Sequence, residues 1–256
     1  MKKFQKFLFA DLDDTLFQTL EKCAGRASPD SLEPAAYYAD GSICSYTTPA
    51  QRAFIDFINQ GMTVIPTTAR SLDAFSRVSL GFTSYAILNF GGIILQPDGS
   101  IERDWQGRMH GLMSAALPGL QDLAARIEDW CARTGYGGRA RLVEDAGTPF
   151  FVVVKDPDKV ALNLERVERD VVLPWIAGDG RHYCVHRNGN NLAILPRALD
   201  KADAVAYIGE RLRREHGEIV TFGMGDSRSD ARFMADCDYA IIPRRTQLSK
   251  LTVETL

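Results

Sequence analysis

Five short stretches of this sequence, residues 7–10, 62–66, 85–88, 219–224 and 239–242, are apolar almost without interruption instead of alternating with polar residues. A strand with one wet face alternates; a strand covered on both faces does not, and both faces are covered chiefly in parallel sheets flanked by helices. Between the first two stretches, Ala53, Phe54, Phe57 and Ile58 recur at helical spacing and Gly61 supplies a stop signal. Residues 71–80 and 200–215 read as two more helices, the latter with Ala204, Val205, Ile208 and Leu212 on one face. Strand and helix alternate, so the pattern predicts an α/β fold with a doubly wound, Rossmann-like parallel sheet.

Residues 91–190 read differently. Gly91-Gly92 opens an expected hairpin (93–96 and 101–105 about a turn at 97–99), followed by a helix over 112–134, a strand over 150–154, a helix over 159–171 and strands over 183–185 and 192–195. This α+β block predicts an inserted cap domain over 91–190, between the two parts of the α/β core, 1–90 and 191–256. A chain of 256 residues is long enough for both. Residues 37–46 add a small hairpin just after the first strand.

Composition narrows the partners. The 33 acidic and 30 basic residues leave a net charge of −3, with no cationic excess to neutralise a nucleic-acid backbone. The five cysteines are scattered without a CxxC pair, which fits reduced thiols and a cytoplasmic setting. No stretch approaches the roughly 20 apolar residues of a membrane span, so no membrane partner is expected.

Ligands of open α/β sheets bind beyond the carboxyl ends of the strands. There the sequence places Asp11-Leu12-Asp13-Asp14-Thr15, then Thr67-Thr68-Ala69-Arg70, then Asn89, then Gly225-Asp226-Ser227-Arg228-Ser229-Asp230. Asp11 and Asp13 are two apart and project to one side if the strand continues through them. With Asp226 they crowd three carboxylates, a conflict that a hard, oxygen-seeking cation such as Mg²⁺ resolves. Thr67 and Thr68 suit a helix cap or an anion site. Lys201 follows a capping Asp200, so its ammonium starts a helix where the dipole disfavours a cation, and an anionic partner would explain that placement.

In order, Asp11-x-Asp13-x-Thr15, Thr68-Ala69-Arg70, Lys201 and Gly225-Asp226-Ser227-x-x-Asp230 resemble the four motifs of the haloacid dehalogenase-like superfamily. The resemblance covers the α/β parts, and the insertion resembles the type 2 cap of the sugar-phosphate phosphatase branch. It implies that Asp11 is the nucleophile forming an aspartyl-phosphate and that Asp13 is general acid, then base. It further implies that Thr68 holds phosphoryl oxygens and that Lys201 steadies Asp11 and the phosphate. Asp11, Asp13, Asp226 and Asp230 are the implied Mg²⁺ set, with Asp230 either a ligand or an orienter of the shell; Thr67, Arg70 and Asn89 are the implied phosphate or substrate contacts. Ala69 stands where the family usually has Gly, and Ser229 where Asn often precedes the last Asp. The expected substrate is a small phosphorylated metabolite, a sugar phosphate, with Arg139, Arg141, Lys155, Arg187, Asn190 and Asn191 as unranked candidates for choosing its leaving group.

A phosphomutase of the same superfamily shares this core chemistry and is the alternative. A non-catalytic phospho-acceptor or binding protein is the other: a receiver domain places its acceptor Asp where this chain has Asn89, and no motif carboxylate is missing here. His182, Cys184 and His186 would share one strand face, but they spread over about 13 Å, too wide for one zinc ion.

Overall fold

The apolar stretches become strands because each can be covered on two faces, and the first of them is central. The computed structural model describes residues 4–255. In chain order its elements are β1 (Gln5–Ala10), α1 (Leu20–Cys23), β2 (Glu33–Tyr37), β3 (Ile43–Thr47), α2 (Pro49–Asn59), β4 (Thr63–Pro66), α3 (Leu72–Ser76), β5 (Ala86–Leu88) and β6 (Ile93–Leu95). They continue with α4 (Arg103–Thr134), β7 (Arg139–Asp145), β8 (Thr148–Lys155), α5 (Ala161–Val167), α6 (Leu173–Ala177), β9 (Tyr183–Asn188) and β10 (Asn191–Pro196). The last are α7 (Lys201–His216), β11 (Ile219–Met224), α8 (Ala231–Ala235), β12 (Tyr239–Ile241) and α9 (Gln247–Leu251). Among the described residues no helix is long and apolar enough to cross a membrane.

Two compact units divide the chain: one runs up to Arg103 and resumes at Asp200, the other spans Asp104–Leu199. In the first, β12-β11-β1-β4 form a parallel sheet, with Phe9 facing Gly223 on one side and Ile65 on the other. Leu8, Ala10, Leu12, Leu16 and Phe17 from β1 and its following loop pack with Ile58 of α2, Val64 of β4 and Met224 of β11. Full burial of one such large side chain contributes about 1.5–3 kcal/mol, so the apolar run that specifies β1 also anchors the loop carrying Asp11. α2 starts with a capping box: Thr48 accepts from Gln51 N, and the Gln51 side chain accepts from Thr48 N.

Three expectations are amended here. The expected turn at 97–99 forms, with Gln96 N donating to Ser100 O at 2.7 Å, Glu102 N to Ile94 O at 2.8 Å and an antiparallel bridge between Leu95 and Ile101, but that pairing stops there; the strand partner of β6 is β5, to which it is antiparallel, and β5 meets the parallel layer through a parallel bridge between Thr67 and Ile87. The chain from Arg103 is already helix. Trp105, Met109 and Met113 are buried at i, i+4 and i+8, and Leu120, Leu123 and Ile127 extend the buried stripe along the 32-residue α4, past Pro118. The unit boundaries accordingly fall at 103/104 and 199/200 instead of 90/91 and 190/191.

The second unit has a four-stranded antiparallel sheet in the order β7-β8-β10-β9. Val152, Val154, Leu192 and Ile194 on one sheet face bury against Leu120, Leu123 and Ile127 of α4, Leu164 of α5 and Trp175 of α6. β10 lies at the heart of this sheet, which is why residues 191–199 belong to the second unit and not to the α/β core.

Candidate active site

Asp11 leaves β1 still attached to β11, its N–H donating to Met224 O at 2.8 Å. The chain then winds back, with Leu16 N donating to Leu12 O at 2.9 Å. Asp14 takes a left-handed conformation, φ 65°, to complete the turn. That turn aims Thr15 Oγ1 at Asp11 Oδ2, 3.2 Å away.

Lys201, the first residue of α7, is buried and donates to Asp11 Oδ1 and to Asp230 Oδ1, both at 2.7 Å. The Asp200 side chain caps the helix, accepting from Ala202 N at 2.8 Å, and Arg232 pairs with the same carboxylate. Gly91 fixes where this helix begins. Its φ is 100°, and a Cβ there would lie 2.4 Å from Asp200 O, so only glycine lets the two segments approach this closely.

Asp230 lies in the loop after β11 and is fully buried. Besides Lys201 it accepts from Ser227 N at 3.0 Å and Ser227 Oγ at 2.7 Å. Gly225 makes room for it, since a Cβ at 225 would sit 2.3 Å from Asp230 Cβ. Asp226 is buried and forms no ion pair among the described residues. Carboxylate oxygens of Asp11, Asp226 and Asp230 lie within 4.8 Å of one another.

Two of the three acids thus share one ammonium and the third has none, and their proton affinities separate accordingly. Burial pushes Asp11 well above the usual carboxylate range; Lys201 opposes this, while Asp230 and Asp226 add to it. Burial, Asp230 and Asp14 push Asp226 up to about 7. Asp230 is held below the ordinary value: burial works against it, and the Lys201 ammonium and the Ser227 donors prevail. Lys201 is itself desolvated, yet Asp11 and Asp230 raise its pKa and keep it charged. A cluster of hard oxygens with an excess of negative charge fits a divalent cation.

Asp13 is not in this cluster. Its carboxylate is held by Arg70, whose Nε donates to Oδ2 and Nη2 to Oδ1, each at 2.7 Å. Arg70 therefore meets an acidic side chain where a phosphate contact was expected. Of the two threonines, Thr67 donates its hydroxyl back to Ile65 O at 3.2 Å, whereas Thr68 Oγ1 accepts from Arg70 N at 3.2 Å, leaving the Thr68 hydroxyl proton to be donated. Asn89 is fully buried and organises this loop through its backbone: Asn89 N donates to Arg70 O at 2.9 Å and Phe90 N to Thr68 O at 3.1 Å. Both Asn89 and Phe90 have positive φ, 49° and 57°.

Sequence reasoning read Ser227 as a motif residue or helix cap and did not foresee that it holds Asp230, and it gave no role to Lys22, whose ammonium pairs with Asp14 at 2.5 Å and partly offsets the charge acting on Asp226. The capping pattern Ser-x-x-Asp over 227–230 was the available signal for the first. Lys22 carries no motif of its own, and nothing in its spacing from Asp14 marks the pair. In the second unit, Arg187 and Asn190 are among the leaving-group candidates whose side chains are engaged within that unit. Arg187 pairs with Glu165 at 3.1 Å and Glu168 at 3.6 Å, and Asn190 Nδ2 donates to Asp156 O at 2.8 Å. Arg139 and Arg141 stand on β7 opposite Lys155 and Val153 of β8, on the sheet face away from Leu142 and Val152.

No protein-family model matches the chain, and no curated protein matches it. Solved structures do. The sucrose-phosphatase of Synechocystis, a complex with sucrose and phosphate, shares 16% identity over 99% of this chain and 88% of its own, with a TM-score of 0.54. A Thermoplasma acidophilum protein shares 15% identity over 98% of each chain, TM-score 0.51. The C-terminal domain of the Candida albicans trehalose-6-phosphate phosphatase shares 10% identity over 90% of this chain and 72% of its own, TM-score 0.50.

Proposed function

From the haloacid dehalogenase-like fold that this chain has, we propose that it is a Mg²⁺-dependent phosphatase that hydrolyses a small phosphate monoester, a sugar phosphate, through an aspartyl-phosphate on Asp11. The observation that carries the reading is the bridge from Lys201 to Asp11 and Asp230 at the carboxyl end of the central strand, with Asp226 adding a third carboxylate. The two sugar-phosphate phosphatases of like fold support the substrate class.

In the first step an Asp11 oxygen attacks phosphorus, the P–O ester bond breaks, and the leaving alkoxide takes a proton from Asp13. In the second, water attacks phosphorus, Asp13 takes its proton, and the bond from phosphorus to Asp11 breaks to release phosphate. Splitting the displacement in two is the gain from a carboxylate nucleophile. Proton transfer by a placed acid contributes typically about 10² to 10⁴ in rate. Lys201 keeps Asp11 ionised and offsets phosphoryl charge, and the Thr68 hydroxyl donates to a phosphoryl oxygen. Asp11, Asp226 and Asp230 would hold Mg²⁺, which neutralises phosphoryl charge when bound.

The test is turnover of p-nitrophenyl phosphate and a panel of sugar phosphates with and without Mg²⁺. Activity is expected only with the cation and to be highest on a sugar phosphate. Full activity after exhaustive chelation would sink the reading.

A further inference from the structure

Arg70 sits in the second motif, where a phosphate contact is expected, yet its guanidinium is occupied by protein. Nε and Nη2 grip both oxygens of Asp13 at 2.7 Å, and Nη1 donates to Ala74 O at 3.3 Å. The guanidinium lies over the Phe17 ring, 5.1 Å from its centroid. Phe17 belongs to the same turn as Asp13: Asp14 N donates to Phe17 O at 2.8 Å, and Phe17 N donates to Leu12 O at 3.3 Å. Arg70 N is in turn fixed by Thr68 Oγ1, and Arg70 O by Asn89 N. The side chain is anchored at both ends of its length and is only 13% exposed, whereas Asp13 is 44% exposed and has no other acid or base bonded to it among the described residues.

We propose that Arg70 is a positioning residue that sets the direction of the Asp13 carboxylate toward the leaving oxygen, and not a ligand of the phosphoryl group; this rests on the phosphatase chemistry proposed above. A half-exposed aspartate on a turn samples several rotamers, and a two-point fork reduces them to one. A lysine offers a single point of charge and cannot reproduce the fork. A misplacement of about 1 Å in a reacting group costs on the order of 10² in rate. Because Arg70 acts through Asp13, its loss matters where the leaving group needs a proton, as an alkoxide does and p-nitrophenolate hardly does.

The experiment measures single-turnover release of leaving group from glycerol phosphate and from p-nitrophenyl phosphate by the wild type and the Arg70→Gln, Arg70→Lys, Asp13→Asn and Asp13→Asn/Arg70→Gln variants. Inhibition by inorganic phosphate is measured alongside. For Arg70→Gln we expect glycerol release slowed by about 10²-fold, a loss on p-nitrophenol release smaller by about ten-fold or more, and phosphate inhibition shifted less than about two-fold. The double variant should be no slower than Asp13→Asn, and Arg70→Lys should recover only part of the loss. Phosphate inhibition by each variant also shows that it is folded, and Arg70→Lys retains the charge if Arg70→Gln does not fold. Equal losses on both esters with weakened phosphate inhibition would make Arg70 a phosphate ligand and overturn the proposal, as would multiplying losses in the double variant. If Asp13→Asn itself shows no preference between the esters, the acid role of Asp13 fails instead, a result visible without any Arg70 variant.

Discussion

Gly91→Ala separates the position of Lys201 from everything else that holds the site together. The added Cβ would meet Asp200 O at 2.4 Å, Asp200 C at 2.8 Å and Lys201 N at 3.2 Å, all backbone atoms that cannot rotate away. Ordinary contact begins near 3.4 Å, so the segment must retreat by about 1 Å. Lys201 donates at 2.7 Å to both Asp11 and Asp230, and a retreat of that size carries at least one bond beyond hydrogen-bonding range. The variant also places an alanine at φ 100°, which costs about 1–3 kcal/mol. Adding a strained contact, the expected loss is about 3 kcal/mol, or roughly 6–12 °C in Tm for a chain of this size. The kcat should fall by about 10²-fold. Gly99→Ala is the control: its φ is 82° but nothing lies within 4 Å of the new Cβ, so it should cost about 1–2 kcal/mol and leave kcat intact. Thermal melts and p-nitrophenyl phosphate turnover of both variants decide the matter. Wild-type kcat in Gly91→Ala, or an equal loss in Gly99→Ala, would refute the claim that this close approach positions Lys201.

Asp11→Asn should remove measurable phosphate release while the far-ultraviolet dichroism stays native, because the proposed nucleophile is lost and like-charge crowding is relieved. Asp226 gives a pH signature. Its folded pKa of about 7 lies above the ordinary 3.8, so between those values the folded state binds more protons than the unfolded one, and stability falls as pH rises, by at most about 4 kcal/mol. Mg²⁺ competes with that proton, so it should raise Tm more at pH 8 than at pH 5; an equal rise at both would count against Asp226 as a ligand. In the second unit, Asp156 is buried and accepts from Val160 N at 2.8 Å, Asp158 N at 3.0 Å, Asn163 Nδ2 at 3.0 Å and Tyr136 Oη at 2.9 Å. Asp156→Ala should therefore lower stability by about 3 kcal/mol in a denaturant melt, with p-nitrophenyl phosphate turnover retained under native conditions.

What was legible in the sequence follows from what sequence encodes locally. A strand covered on both faces must be an apolar run, so β1, β4, β11 and β12 and the polar residues at their ends could be read directly. Which strands pair is not local: residues 93–95 make only the start of the expected hairpin, through Leu95 and Ile101, and take 86–88 as their strand partner. The first turns of α4 were hidden because Gly107 and Gly111 dilute helix propensity, although Trp105, Met109 and Met113 already mark a buried stripe. The partner of Asp13 lies 57 residues away, beyond the reach of the spacing and the family resemblance that put that carboxylate in the expected metal set.

The same limit applies to charge. Sequence spacing predicts that carboxylates crowd, but not which of them receives the lysine. Lys201 divides its donors between Asp11 and Asp230, and Ser227 gives Asp230 two more, so Asp230 holds its negative charge most firmly. Asp226 is left buried, within 4.8 Å of both other acids and without an ammonium of its own, and a proton near neutral pH compensates its charge. A proton adds one positive charge at one oxygen, whereas a divalent cation would add two within reach of all three carboxylates. A cation held there would displace the proton from Asp226 and lower the proton affinity of Asp11 together, coupling metal binding to ionisation of the proposed nucleophile through a cluster of three acids and one lysine.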